Sequence, residues 1–173
     1  MSRRYQYILD LLKGFEIDYS GIIVDCGCGP GKGSKLLQDK GFNVIAIDID
    51  KYVLRTAIEN KVSNVQFGDL TSLSLLNEYV SVFFCSETLE HLTIKEYKKA
   101  CEEIFRVVKK GGIICITVPK DKEVCLDNSN HKIWVTKENL LESFKECVLL
   151  VIGEFVKNLK KPHRSNLVMI FRK

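Results

Sequence analysis

The stretch Val24-Asp25-Cys26-Gly27-Cys28-Gly29-Pro30-Gly31 decides the fold of this chain. It closes the apolar run 21–26 and opens a helix-like segment at 32–40, so it is the turn of a strand–turn–helix unit. Glycines at alternate positions allow positive φ angles and let a ligand approach the backbone closely. A doubly wound sheet binds its ligand at such a turn, beyond the carboxyl end of its first strand. We therefore predict a ligand site here.

Strand-like and helix-like segments alternate along the rest of the chain. Strand patterns lie at 43–48, 64–67, 79–86, 112–118, 148–156 and 166–172, and helix patterns lie at 5–15, 51–60, 93–108 and 136–146. This alternation predicts a mainly parallel sheet with right-handed crossovers. The last two strands are joined by about nine residues, too few for a crossover helix, so they should pair antiparallel. The prediction is one doubly wound α/β domain over residues 1–173, with residues 1–20 as a short helical cap.

Both ends of the helix predicted at 93–108 are marked in the sequence. Thr93 followed by Glu96 is the pattern of a capping box. The segment Lys109-Lys110-Gly111 should supply a basic last turn and a glycine just past the helix end.

The composition is that of an ordinary folded domain. Hydrophobic residues make up 46% and charged residues 28% of the 173 residues, and the net charge of +4 is too small to indicate a nucleic-acid partner by itself. Seven cysteines, an odd number within mostly apolar runs, indicate reduced core residues. Neither a signal-peptide pattern nor a membrane-spanning run is present, so we expect a cytoplasmic protein.

Three acidic residues follow three predicted strands. Asp25 precedes the glycines, where a carboxylate disfavours the pyrophosphate of a dinucleotide. Asp48 ends the second strand about 20 residues later, where it can accept both ribose hydroxyls. Asp69 follows the third strand and can accept a hydrogen bond from the amino group of an adenine. The dinucleotide pattern G-x-G-x-x-G is also broken, since Lys32 stands at its third glycine. A nicotinamide oxidoreductase is therefore disfavoured.

On these residues the chain resembles the class I S-adenosylmethionine (SAM) dependent methyltransferases, with a type 11/12-like domain and the core motif E/D-x-G-x-G-x-G. The resemblance implies SAM as the cofactor. It also implies a Rossmann-like seven-stranded sheet of order 3-2-1-4-5-7-6, in which the last strand is antiparallel. The residues that it assigns to the cofactor are Asp25, Gly27, Cys28, Gly29, Gly31, Asp48, Ile49, Asp69, Leu70 and Cys85.

The acceptor side of a methyltransferase must position a nucleophile and, for a hydroxyl, remove its proton. Glu87, Glu90 and His91 follow the fourth strand and would share one face of a helical turn. His131 lies after the fifth strand and should overhang the same mouth. We predict catalytic roles for Glu87, His91 and His131.

The same four side chains are a candidate metal site. Two carboxylates and two imidazoles, from Glu87, Glu90, His91 and His131, can bind Mg²⁺ or Mn²⁺. The set resembles the metal site of 2′-O-methyltransferases that modify small-RNA 3′ ends, and that of quinone-pathway O-methyltransferases. In the competing interpretation, these residues shape the substrate loop without any metal.

The substrate and the partners stay open at this stage. The basic segment 157–164 would lie beside the mouth and attract a phosphate or carboxylate, or it is a solvated hairpin tip. Trp134 either stacks on a base or anchors its loop to the core. The short cap leaves the mouth open to a large substrate, a nucleic acid, a protein partner or a second copy.

Three functions are compatible with these patterns. The first is methyl transfer to an unidentified acceptor. Because no N-P-P-Y-like tetrad follows the fourth strand, an oxygen acceptor is preferred over a base nitrogen. The second is a non-catalytic subunit of SAM-binding fold that acts with a partner, and the third is a metal-assisted RNA 2′-O-methyltransferase.

Overall fold

A computed structural model of the chain describes residues 3–156 and 165–173. The basic segment predicted beside the substrate mouth, residues 157–164, lies outside the described residues. No helix in the described ranges has the length and the apolar character needed to cross a membrane.

The centre of the protein is one seven-stranded sheet. Its strands are β1 (Ile22–Cys26), β2 (Val44–Asp48), β3 (Val65–Phe67), β4 (Val80–Ser86), β5 (Val108–Pro119), β6 (Val148–Val156) and β7 (Ser165–Arg172). The spatial order is β3-β2-β1-β4-β5-β7-β6. Strands β1 to β5 pair parallel, and β7 is antiparallel to both β5 and β6. The predicted fold class, strand order and reversed last strand are confirmed.

Helices cover both faces of this sheet. They are α1 (Arg3–Leu12), α2 (Lys32–Asp39), α3 (Lys51–Glu59), α4 (Ile94–Val107), α5 (Lys122–Leu126) and α6 (Lys137–Ser143), with a 3₁₀ turn at Leu89–His91. Alternate side chains of β4 point to opposite faces. Phe83 packs into the core beneath α4 and α6, whereas Phe84 packs into the core beneath α1 and α2. Since both faces are covered, β4 is buried along its whole length.

The start of α4 is built as the sequence predicts. The hydroxyl of Thr93 accepts a hydrogen bond from the backbone N–H of Glu96, and the Glu96 carboxylate accepts one from the backbone N–H of Thr93. This reciprocal pair satisfies donors that the first turn of a helix leaves without partners.

The predicted extent of the same helix is confirmed to within one residue, but the predicted basic last turn and glycine at 109–111 are wrong. Helix α4 stops at Val107, and Val108 already has extended backbone angles and pairs with Val80 as the first residue of β5. Gly111, at φ +76°, lies within β5, where the register against β4 shifts, and so it does not follow the helix end. Pairing with β4 therefore prevails over the helix-ending pattern of Lys109-Lys110-Gly111. The short α5 also lies in a segment for which the sequence predicted no helix.

Candidate functional site

The turn after β1 is shaped by close packing at two of its glycines. Gly27, Gly29 and Gly31 all have positive φ angles, of 74°, 55° and 75°. A Cβ at Gly27 would lie 2.1 Å from the Thr88 hydroxyl oxygen, and one at Gly31 would lie 2.4 Å from a methyl group of Val62. At Gly29 a Cβ would meet no atom within 4 Å. Gly29 thus faces open space, whereas the other two permit close packing.

That open space is a cavity of about 540 Å³ at the carboxyl ends of β1, β2 and β4. Six of the residues predicted to bind the cofactor line it, namely Gly27, Gly29, Asp48, Ile49, Asp69 and Leu70. Of the predicted catalytic residues, Glu87 and His91 line it as well. The structure therefore brings together the strand-end residues that the sequence singled out.

Asp48 braces the glycine turn and still has capacity to bind a ligand. One of its carboxylate oxygens accepts the backbone N–H of Gly29 at 2.8 Å, and the other accepts that of Asp50 at 3.0 Å. A carboxylate offers about four acceptor positions, so roughly two remain for ligand hydroxyls. Asp69 is similar, because its Oδ1 accepts both the backbone N–H and the hydroxyl of Thr71 at 2.8 Å.

Asp25 lies below the cavity and is not part of its wall. Its carboxylate is completely buried, and it accepts hydrogen bonds from the hydroxyl groups of Tyr5 and Ser34. Burial raises the pKa of Asp25 from 3.8 to about 6, although both hydroxyl groups oppose the shift. The geometry makes Asp25 a buried link between β1, α1 and α2.

Three other residues assigned to the cofactor serve packing in this structure. The side chain of Cys28 packs with Ala46 and Leu54, and that of Cys85 is fully buried in the main core. Burial raises the pKa of both thiols, which therefore stay protonated at neutral pH. Gly31 lets the start of α2 pack closely against Val62 and against Ala57 of α3.

The cavity wall also contains residues that the sequence analysis missed. Thr88 and Thr71 adjoin predicted site residues, so their position next to Glu87 and Asp69 was an available signal. Lys132 and Glu96 come from distant segments and form an ion pair at 3.6 Å. No local pattern in the sequence indicates that pairing.

Negative charge dominates this wall. Its acidic side chains are Asp48, Asp50, Asp69, Glu87 and Glu96, against Lys132 as the single lysine or arginine among the described lining residues. Such a wall repels a diphosphate and attracts a cationic ligand. The residues present therefore fit SAM, which carries a sulfonium and an ammonium group, better than they fit a dinucleotide.

Glu87 lies between this cavity and a second one of about 360 Å³, because it lines both. Its backbone has a left-handed φ of 57° directly after β4. Its carboxylate accepts a hydrogen bond from the side-chain amide of Asn166 and pairs with Arg4 at 3.4 Å. His131 and Asn128 line the second cavity together with Glu87 and Asn166. Neighbours from α1 and β7 thus hold Glu87 at the boundary of the two cavities.

The predicted helical turn that would align Glu87 with Glu90 and His91 does not form. Only Leu89–His91 is helical, as a 3₁₀ turn, and Glu87 precedes it in a left-handed conformation. Glu90 is fully buried, whereas Glu87 and His91 line the cavity. The expectation that all three side chains share one helix face is therefore wrong.

His91 and His131 do come together, as the sequence predicted. Their rings meet edge to face with centroids 4.7 Å apart, and ligand atoms of Glu90, His91 and His131 lie within 4.8 Å of one another. The Nδ1 atoms of His91 and His131 lie 3.1 and 2.7 Å from backbone carbonyl oxygens of Asn130 and Cys125. A proton on each Nδ1 satisfies these contacts, and the Nε2 of His131 then accepts a hydrogen bond from the side-chain amide of Asn128 at 3.0 Å.

Helix α1 contributes a residue to the site that the sequence analysis missed. The Arg4 guanidinium donates to the Ser86 hydroxyl at 2.8 Å and to the Thr117 hydroxyl at 3.4 Å, besides its ion pair with Glu87. These partners lie at the ends of β4 and β5. The cap predicted at residues 1–20 therefore reaches the mouth of the site.

The family profile described as Methyltransferase domain matches residues 24–116. An uncharacterized protein of Methanocaldococcus jannaschii is 31% identical over 149 residues, which cover 82% of this chain and 62% of that protein. The tRNA (carboxymethyluridine(34)-5-O)-methyltransferase of Arabidopsis thaliana is 36% identical over 56% of this chain and 24% of its own length. A malonyl-[acyl-carrier protein] O-methyltransferase of Pectobacterium atrosepticum is 29% identical over 60% of this chain and 41% of its own length. The chain thus spans less than two thirds of each of these relatives.

Solved structures agree with the fold. A SAM-dependent methyltransferase from Archaeoglobus fulgidus superposes with a TM-score of 0.79 at 19% identity, covering 98% of this chain and 91% of that one. A SAM-dependent methyltransferase from Methanosarcina mazei superposes with a TM-score of 0.78 at 18% identity, covering 96% of both chains. At these identities the likeness concerns the fold alone.

Proposed function

The chain belongs to the methyltransferase domain family, and from this premise we propose that it transfers the methyl group of SAM to an oxygen atom of an acceptor in the second cavity. One observation carries the proposal. Glu87 lines both cavities, so a single carboxylate faces the space for the donor and the space for the acceptor.

The first cavity has the groups that the donor requires. Asp48 would accept the ribose hydroxyls with its remaining lone pairs, and Asp69 with Leu70 would contact the adenine edge. The backbone at Gly27 and Gly29 would lie along the methionine part. When bound there, SAM supplies an electrophilic methyl group on a sulfonium. The acidic wall favours this positive charge.

A hydroxyl acceptor requires a group that takes up its proton. Glu87 would accept a hydrogen bond from the acceptor hydroxyl and take its proton as the methyl group is transferred. The amide of Asn166 and the guanidinium of Arg4 restrict the Glu87 carboxylate to the boundary of the two cavities. The Pectobacterium and Arabidopsis relatives are named as O-methyltransferases, which supports oxygen as the acceptor atom.

The test is methyl transfer from isotopically labelled SAM to fractionated cell metabolites, followed by identification of the labelled bond. We expect a methyl ether, the product of transfer to a hydroxyl. Glu87→Gln should lower kcat by about 100-fold, whereas its affinity for S-adenosylhomocysteine should stay unchanged. The matched control is Glu59→Gln, which makes the same substitution at an exposed position of α3. Transfer to nitrogen, or full activity of Glu87→Gln, would contradict the proposal. Cofactor binding without transfer to any fraction would favour a non-catalytic subunit that needs a partner protein.

A second candidate is metal-assisted 2′-O-methylation of RNA, which the convergence of Glu90, His91 and His131 favours. A histidine that donates Nδ1–H to a backbone carbonyl is typical of metal sites, and at His131 an ion on Nε2 would replace the hydrogen bond from Asn128. Two imidazoles and one carboxylate suit Mn²⁺ better than Mg²⁺. Glu87, from the predicted metal set, lies outside this convergent group. A bound ion would supply positive charge beside the acceptor.

Calorimetric titration with Mn²⁺ tests this second candidate. The wild-type protein should bind one ion, and His131→Gln should weaken that binding by at least about tenfold. RNA with a free 3′ terminus should then become methylated only in the presence of the ion. Identical titrations of both proteins would refute the metal site without affecting the proposed O-methylation.

A further inference from the structure

A groove outside both cavities lies between the first turn of α4, helix α5 and the segment 132–135. We define it as the Trp134 groove, with a volume of about 450 Å³, whose exposed or half-buried apolar lining residues are Ile94, Leu126, Ile133 and Trp134. Ile94 is 65% exposed and Leu126 is 48% exposed, although both are large aliphatic residues. Exposed apolar side chains grouped around one concave surface are typical of a binding site.

Positive charge surrounds this apolar lining. Lys98, Lys122 and Lys132 line the groove, and none of its described lining residues is acidic. Lys132 pairs with Glu96, whereas Lys98 and Lys122 form no ion pair within the part of the chain that the structure describes. Two lysines therefore remain to neutralise an anion at the rim of an apolar surface.

The indole of Trp134 is held in place by one hydrogen bond. Its Nε1–H donates to the backbone carbonyl of Lys120 at 3.2 Å, so the polar edge of the ring has a partner. Neither of the two roles predicted for Trp134 describes it fully, because the ring is partly exposed and lines the groove.

We propose that the Trp134 groove binds a small amphiphilic anion, a molecule with an aliphatic or fused-ring body and one carboxylate or phosphate. The volume suits one such molecule, since ligand pockets occupy roughly 300–1,000 Å³. The body contacts the four apolar residues, and the anionic group lies between Lys98 and Lys122. This site is independent of methyl transfer. It shares only Lys132 with the cofactor cavity.

The lining favours such an amphiphile over a nucleic-acid strand. Strand-binding proteins stack successive bases on several aromatic side chains along a basic path. Here the apolar lining is mainly aliphatic, since it consists of Trp134 and Tyr97 against Ile94, Leu126, Ile133 and Val135. Tyr97 is buried, and its hydroxyl is hydrogen-bonded to Ser143.

The single tryptophan of the chain makes the test direct, because its fluorescence reports on the groove. Trp134 emission is measured during titration with dodecanoate and with dodecyl phosphate, each below its micelle concentration. Dodecanol, which is uncharged, a hexathymidylate and vesicles of anionic lipid are titrated in parallel. We expect a saturable change with one or both monomeric anions, and their relative affinities distinguish a carboxylate from a phosphate ligand.

Two double variants isolate the role of charge. Lys98→Gln/Lys122→Gln should weaken binding of the anion by about tenfold, as expected for two partly screened charges. Lys40→Gln/Lys61→Gln removes the same charge from exposed positions that follow α2 and α3, and it should leave the affinity unchanged. The proposal is overturned if no monomeric anion gives a saturable change, or if dodecanol binds equally well. A response to hexathymidylate or to vesicles alone would also overturn it.

Discussion

Replacing Asp25 with asparagine should change how the stability of the protein depends on pH. The Asp25 carboxyl is fully buried beneath the glycine turn, and burial raises its pKa from the ordinary 3.8 to about 6. The folded state therefore binds this proton more tightly than the unfolded state does. The stabilisation is fully present below pH 3.8 and is lost as the pH rises through 6.

The size of the effect follows from the two pKa values. A difference of about 2 pKa units corresponds to about 3 kcal/mol of unfolding free energy, most of which, about 2 kcal/mol, is lost between pH 4 and pH 7. Asparagine has nearly the same shape and cannot ionise. Its amide can still accept a hydrogen bond from the Tyr5 hydroxyl and donate one to Ser34.

Urea unfolding of the wild type and of Asp25→Asn, followed by circular dichroism at several pH values, measures this effect. The difference in unfolding free energy between the two proteins should shift by about 2 kcal/mol in favour of the variant from pH 4 to pH 7. Asp39→Asn removes a carboxylate from the surface and is the charge-matched control. A difference that stays constant across this range would refute the claim that Asp25 is buried and ionises with a raised pKa.

Three further substitutions test individual contacts. Gly27→Ala places a Cβ 2.1 Å from the Thr88 hydroxyl oxygen at φ +74°, so it should lower the affinity for S-adenosylhomocysteine, measured by calorimetry, by at least about tenfold. The control Gly41→Ala, at φ +87° in open space, should bind S-adenosylhomocysteine normally. Tyr5→Phe removes a donor to a buried carboxylate and should lower the unfolding free energy by about 1–3 kcal/mol in urea titrations, whereas an unchanged midpoint would contradict that bond. Thr93→Ala breaks the capping box of α4 and should lower the thermal midpoint through a loss of about 1 kcal/mol.

The fold could be predicted because each strand has a recognisable pattern within its own segment of the sequence. A strand covered on both faces is a continuous apolar run, which is why β4 could be placed in the sheet centre. The connection between β6 and β7 is too short for the crossover that a parallel pair requires, so the two strands can pair only antiparallel. The start of β5 directly after α4 could not be predicted, because Val108 pairs with Val80 and that contact is tertiary.

The site could be predicted only where its residues adjoin strand ends. Asp48 and Asp69 line the cavity because Asp48 is the last residue of β2 and Asp69 lies two residues after β3. Arg4 and Asn166 reach Glu87 from elements 83 and 79 residues away in sequence, and no local pattern encodes such a meeting. For Asp25 the local motif misled, because it assigned this residue to the ligand. In the structure its carboxylate accepts hydrogen bonds from the hydroxyl groups of Tyr5 and Ser34.

Calorimetric titration with S-adenosylhomocysteine, and separately with NADH, tests the central claim most directly. The acidic cavity should bind S-adenosylhomocysteine with a micromolar dissociation constant and should not bind NADH, whose diphosphate it repels. Asp48→Asn should weaken the binding of S-adenosylhomocysteine by at least about tenfold, because the ribose hydroxyls lose a charged acceptor. Binding of NADH in its place, or equal affinity of the wild type and Asp48→Asn, would contradict the account.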